Sequence, residues 1–149
     1  MVIGGRRHQG AAMYNDFKDL WYTVAPLKFE RRYSAAVKWN GTVVVTGGSD
    51  PVSASVELFN PKTNKWTAAL PDLLVARYGH ALVNIDSCLY AIGGKSQDEQ
   101  LLSSVEKYSL TSKSWKLVFT LPTARSDLTC VTRLVSTKTR LLHTAHCLF

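Results

Sequence analysis

Short apolar runs punctuated by glycine, asparagine and proline recur along this chain, and they predict strands. Three of them end in a Gly-Gly pair: Val2-Ile3-Gly4-Gly5, Val43-Val44-Val45-Thr46-Gly47-Gly48 and Leu89-Tyr90-Ala91-Ile92-Gly93-Gly94. The pairs lie 43 and 46 residues apart. Downstream of each stands an aromatic with a tryptophan seven residues further on: Tyr14 with Trp21, Phe59 with Trp66, Tyr108 with Trp115. An arginine follows each tryptophan after 11, 11 and 10 residues, at Arg32, Arg77 and Arg125. Four marks in one order define an internal repeat.

The gap from the second glycine to the aromatic drifts through 9, 11 and 14 residues, whereas aromatic to tryptophan is constant. Constant spacing implies two strands paired around a set turn, and drifting spacing implies a surface loop. In the second unit Tyr33 to Trp39 predicts a strand, Asn40-Gly41 a two-residue hairpin, and Thr42 to Thr46 the returning strand. Ser55 to Phe59 and Lys65 to Ala68 complete the set around the turn-forming Asn60-Pro61-Lys62-Thr63-Asn64. The third unit repeats the scheme at His80 to Ile85, Cys88 to Ile92, Ser104 to Tyr108 and Ser114 to Val118. A four-stranded antiparallel unit repeated at this period is a propeller blade. The glycines suit positive φ and the close approach of a neighbouring backbone. The aromatics and tryptophans, on adjacent strands, supply bulk to fill the space between blades.

These marks, together with Val56-Glu57-Leu58-Phe59-Asn60-Pro61 and Val105-Glu106-Lys107-Tyr108, resemble the kelch family over about residues 1 to 130. The fold class expected is all-β, a kelch-type β-propeller that is incomplete at about three four-stranded blades. Residues 1–32 form a first blade lacking its innermost strand, 33–77 a second and 78–125 a third. Residues 126–149 hold the start of a fourth blade, with Leu128 to Val135 as its first strand, and an off-pattern tail. The last dozen residues match no part of a blade and read as a foreign end, from alternative splicing or a misread gene boundary. On this reading the chain is a truncated product. Two copies would close a six-bladed ring by exchanging strands, a homodimer through unfilled blade edges.

Composition adds little. The 149 residues are 46% hydrophobic and 19% charged, ordinary for a soluble domain, and no run nears the ~20 apolar residues of a membrane span. Met1 to Gly10 lacks an apolar core of the signal-peptide kind. The net charge of +7 sits at both ends, without the basic stripe of a nucleic-acid footprint. No nucleic acid and no membrane are therefore expected as partners. Three widely spaced cysteines, Cys88, Cys130 and Cys147, predict reduced thiols and a cytoplasmic setting.

Candidate chemistry is sparse. Lys95-Ser96 after Gly94 mimics a phosphate loop, but position 89, where its first glycine belongs, is Leu89. Asn40-Gly41-Thr42 matches a glycosylation acceptor and is explained by the hairpin. His143, His146 and Cys147 lack a second distant ligand pair, which favours a disordered tail over a metal site. Some kelch-like propellers are copper oxidases, but no repeated histidine or paired carboxylate points that way here. No catalytic residue, metal or cofactor is expected, and the chain is read as a non-enzyme.

Arg32, Arg77 and Arg125 carry more weight. At equivalent positions in successive blades they form a basic arc suited to bidentate binding of carboxylates. In kelch proteins some arginines at the start of a blade line a pocket for acidic peptides. The resemblance so makes Arg32, Arg77 and Arg125 binding candidates, with Tyr33 and Tyr78 as aromatic walls. Ser49 and Lys95, directly after the Gly-Gly pairs, open onto the same end. The alternative is that the arginines only tie one blade to the next. Under binding, Arg77→Ala weakens an acidic partner and spares thermal stability; under the alternative, stability falls. The resemblance implies protein–protein recognition, most often of substrates for cullin-type ubiquitin ligases alongside BTB and BACK domains. It also admits an actin-binding, cytoskeleton-associated protein.

Overall fold

The computed structural model describes residues 1–5, 9–49, 51–137 and 140–148, with side chains through Thr132. Among the described residues every regular element is a strand, and no helix is long and apolar enough to cross a membrane. The first antiparallel sheet has three strands, in order β1 (Val2–Ile3), β2 (Ala11–Asn15) and β3 (Leu20–Val24). Two four-stranded meanders follow. One is β4 (Ala35–Trp39), β5 (Thr42–Thr46), β6 (Val56–Asn60) and β7 (Lys65–Thr67). The other is β8 (Ala81–Ile85), β9 (Cys88–Ile92), β10 (Ser104–Ser109) and β11 (Ser114–Thr120). A hairpin of β12 (Thr129–Thr137) and β13 (Arg140–Leu148) comes last. Strands β4 and β8 pack side by side, as do β8 and β12, so they are the innermost strands of neighbouring blades.

The expected turn and pairings are present. Asn40 and Gly41 both have positive φ (46° and 77°), the two-residue geometry that matches strand twist. Asp86 and Ser87 do the same between β8 and β9. Each aromatic sits opposite its tryptophan on the adjoining strand, with ring centroids 5.5, 5.1 and 5.5 Å apart in the three sheets. The indole of Trp66 donates to the Ala25 carbonyl at 2.8 Å, and that of Trp115 to the Pro71 carbonyl at 2.9 Å. Each outermost strand is thereby clipped to the connection leaving the preceding blade. Between the second and third blades Trp39 meets Tyr108 edge-on, within a core that includes Val44, Val56, Leu82 and Leu89.

Three expectations change. The innermost strands start later than predicted: at Ala35 in the second blade, where Tyr33 takes a φ of 54° outside the strand region, and one residue late, at Ala81, in the third. Residues 140–148 form a strand paired along its whole length with β12, where a disordered tail was expected. Cys88 is a free thiol, but Cys130 is disulfide-bonded, against the expectation of uniformly reduced cysteines. Folding back of β13 sets residue 147 directly opposite Cys130, a proximity that spacing in the sequence does not reveal. The side chains of the His143, His146 and Cys147 trio lie outside the described residues.

Candidate functional site

The arginines split into buried ties and half-buried positions. Arg77 has no exposed surface. Its Nη1 donates to the carbonyls of Gly93 (2.8 Å) and Ser104 (3.2 Å), and its Nη2 to Ser104 Oγ (3.0 Å) and Glu106 Oε1 (2.5 Å). Glu106 also accepts the backbone N–H groups of Leu74 and Val75. Burial lowers the Arg77 pKa from its ordinary value, opposed by the adjoining Glu106 carboxylate. The same clasp occurs one blade earlier, with Arg31 on Glu57, the Gly47 carbonyl and Ser55, and Lys28 N–H on the other Glu57 oxygen. Both carboxylates are buried, which fixes the connection between blades through charge-assisted bonds.

Register settles which residues correspond. The N–H groups of Gly5, Gly48 and Gly94 donate to the carbonyls of Arg31, Arg77 and Arg125. The first repeat therefore contributes Arg31, not Arg32, and the connection from tryptophan to arginine is one residue longer in the second repeat. Arg77 is corrected from a partner-binding candidate to an internal tie.

His80, directly before β8, lies near both clasps, within reach of the Arg77 and Arg31 charges. It is buried, its Nε2 is 2.8 Å from Thr46 Oγ1, and burial with the charges of Arg77 and Arg31 lowers its pKa to about 3. The unfolded chain, with histidine near its ordinary 6.5, binds a proton in that window while the folded chain does not. Stability is therefore expected to fall as pH drops from 6.5 towards 3, by up to about 1.4 kcal/mol per unit. Urea unfolding across that range checks this, since a His80→Gln chain should show a shallower decline.

Beside the clasps, at the end of the sheets where the Gly-Gly pairs lie, is an open cleft of about 500 Å³. Its walls come from the starts of three consecutive blades (Arg32 and Tyr33, Tyr78, Asp127) and from the loops after β5 (Ser49, Pro51, Val52) and β9 (Lys95, Gln97, Glu99). Isolated bridges between Arg32 and Ser49, and between Tyr78 and Lys95, fix each start against the loop of its own blade. Arg32 lies 4.6 Å above the Tyr33 ring and its Nη2 donates to the Tyr33 hydroxyl at 2.9 Å. Tyr33, half exposed, faces Tyr78 at 6.2 Å between centroids. Lys95 Nζ sits 5.9 Å from the Tyr78 ring and 3.7 Å from Glu99, which also accepts the Tyr78 hydroxyl. That bond, with burial and the charges of Glu99 and Asp127, pushes the Tyr78 pKa up to about 12.

Five of the seven sequence candidates thus come together: Arg32, Tyr33, Ser49, Tyr78 and Lys95. Arg125 is half-buried beyond the cleft, its backbone holding Gly94, so no arc of three arginines forms. The carboxylates Glu99 and Asp127 were missed. Neither recurs at the same repeat position, so periodicity carries no signal for them. Glu57 and Glu106, by contrast, both stand two residues before the third-strand aromatic and were legible as a repeated mark.

Residues 30–69 and 76–119 match the family model of the Kelch motif. The chain is similar to alpha-scruin of Limulus polyphemus (32% identity over 79% of this chain and 14% of the relative). It is also similar to kelch-like protein 38 of Mus musculus (27% over 83% of this chain, 23% of the relative). A third relative is kelch repeat and BTB domain-containing protein 1 of cowpox virus (29% over 69% of this chain, 19% of the relative). The chain spans less than a quarter of the length of these curated relatives.

Proposed function

Since the chain belongs to the kelch-repeat family, a family of protein-interaction domains, we propose that it recognises a partner polypeptide through the cleft built on Arg32, Tyr33, Ser49, Tyr78 and Lys95. The observation that carries this reading is the guanidinium of Arg32 placed 4.6 Å from the ring of an exposed tyrosine, in the wall of a concave site. A planar guanidinium so positioned offers paired donors to a carboxylate, and arginine–tyrosine clusters are typical anchors of binding energy. The partner segment accordingly presents an acidic side chain there. The Tyr78 phenol, pushed up to about 12, is a poor proton donor near neutral pH, which favours recognition over catalysis at this ring. We read the chain as a non-enzyme that works in the cytoplasm.

The finer proposal is that this recognition selects substrates for a cullin-type ubiquitin ligase, within a polypeptide that also carries BTB and BACK domains. Sequencing of the complete transcript tests that layer: such coding sequence upstream supports it, and its absence leaves recognition without the ligase. Cosedimentation with actin filaments, lost on Arg32→Ala, would replace the ligase reading with a cytoskeletal one.

Recognition itself is tested by peptide display against the purified chain. Peptides selected by the native chain should lose about tenfold or more in affinity on Arg32→Ala or Tyr33→Ala, with the melting temperature little changed. Lys62→Ala, in the exposed turn before β7, should leave their binding intact. Equal losses at Arg32 and Lys62, or none at either, would remove the cleft as the recognition surface.

A further inference from the structure

The cleft carries both signs of charge, and we propose that its occupant does too: a partner segment with an acidic side chain on Arg32 and a basic side chain between Asp127 and Glu99. This rests on the reading that the cleft is the recognition surface, and it narrows the partner from acidic segments in general to mixed-charge ones.

Charge distribution is the first support. Arg32 stands at the Tyr33 side of the cleft. At the Tyr78 side, Lys95 is half-buried and its charge is already answered by Glu99. The Glu99 side chain is 72% exposed, and Asp127 is exposed as well. Glu99 accepts the Tyr78 hydroxyl, and Asp127 lines the same cleft. An all-acidic segment long enough to cross from Arg32 to Tyr78 would meet like charge there, and like charges brought together on binding cost affinity. A lysine or arginine at that end meets opposite charge and an aromatic face. The exposed Lys95–Glu99 pair, at 3.7 Å, is of the kind worth little, so an incoming cation can share Glu99 at small cost.

The backbone supplies the second. Tyr33, Gly79 and Asp127 occupy one repeat position: Gly79 N–H donates to the Tyr33 carbonyl and Asp127 N–H to the Gly79 carbonyl, at 2.9 and 2.7 Å. All three have φ near +55° (54°, 58° and 54°). Glycine suits this conformation, whereas a side chain there costs about 1–2 kcal/mol. The middle blade uses glycine, and the two flanking blades keep a tyrosine and an aspartate in spite of that cost. Both of those side chains line the cleft, one beneath the cation and one at the anionic end. Glycine in the middle also makes room, because a Cβ at Gly79 would lie 2.9 Å from Asp127 Oδ1. A bulky tyrosine held at positive φ beside a cleft is the kind of strained position associated with function.

The test uses fluorescein-labelled peptides on one neutral scaffold, carrying Glu and Lys, two Glu, two Lys or two Gln at a series of spacings. Polarisation measured with the full chain should show the best Glu–Lys peptide binding about fivefold or more tighter than the best Glu–Glu peptide. Asp127→Asn combined with Glu99→Gln should erase that preference, bringing Glu–Lys and Glu–Glu affinities within about twofold of each other. Arg32→Ala should weaken both. If Glu–Glu peptides bind as tightly as Glu–Lys, the mixed-charge inference falls while recognition at Arg32 stands. If binding of every peptide is indifferent to Arg32, the recognition reading falls and takes the inference with it.

Discussion

Replacing Arg77 by alanine is expected to lower stability by about 3–5 kcal/mol, because it leaves the Glu106 carboxylate buried without its cation. The loss extends beyond one ion pair. The Gly93 and Ser104 carbonyls and Ser104 Oγ lose their donor as well, and these groups join the end of β9 to the start of β10. Arg77→Lys should recover only part, since an ammonium cannot reproduce a fork that serves five acceptors. Replacing Arg77 and Glu106 together by apolar residues of similar volume should be milder than Arg77→Ala alone, because no orphan charge remains. Urea unfolding of the four chains checks the order. An Arg77→Ala chain with unchanged midpoint and weakened peptide binding would restore Arg77 as a contact residue and contradict its burial.

Gly47→Ala is expected to be nearly as damaging, by about 2–5 kcal/mol. Gly47 has φ of +61°, and a Cβ there would lie 2.3 Å from the Arg77 carbonyl oxygen and 2.7 Å from His80 Cε1. Neither neighbour can retreat easily. The Arg77 carbonyl accepts the Gly48 N–H, and His80 is buried against Thr46. Gly41→Ala is the control: its φ of +77° is equally unfavourable, but nothing lies within 4 Å of the added carbon. It should cost only the conformational share, about 1 kcal/mol. Melting curves of the two variants separate steric exclusion from backbone preference, and equal losses would show that close approach of the blades is not what Gly47 provides.

Much of the architecture was legible because it is local. The seven residues from Phe59 to Trp66 and from Tyr108 to Trp115 reflect a cross-strand pair around a tight turn, a relation that spacing alone defines. Asn40-Gly41 marked its hairpin for the same reason, since both residues tolerate the positive φ that the turn demands. The candidate site was legible in part. Residues directly after a Gly-Gly pair or at the start of a blade must gather at one end of the sheets, so Arg32, Tyr33, Ser49, Tyr78 and Lys95 were found.

Burial was not legible. Adjacent arginines at 31 and 32 look alike in sequence, yet one is sealed within a clasp and the other lines a cleft. Only the backbone pairing of Gly5 with Arg31 reveals the phase of the repeat. Glu99 and Asp127 enter the site from a loop of irregular length and from the start of another blade, where no period reaches. By itself, then, the sequence determined the strands of the repeats to within a residue or two, their order within each blade and the family, because these follow from hydrophobic alternation, turn chemistry and repeat spacing between near neighbours. The tertiary structure alone decided which arginine is a buried tie and which lines the cleft, and that the cleft carries both signs of charge. Those outcomes depend on how one blade is rotated and pressed against the next, where a shift of one residue exchanges a buried guanidinium for a half-buried one at the cleft.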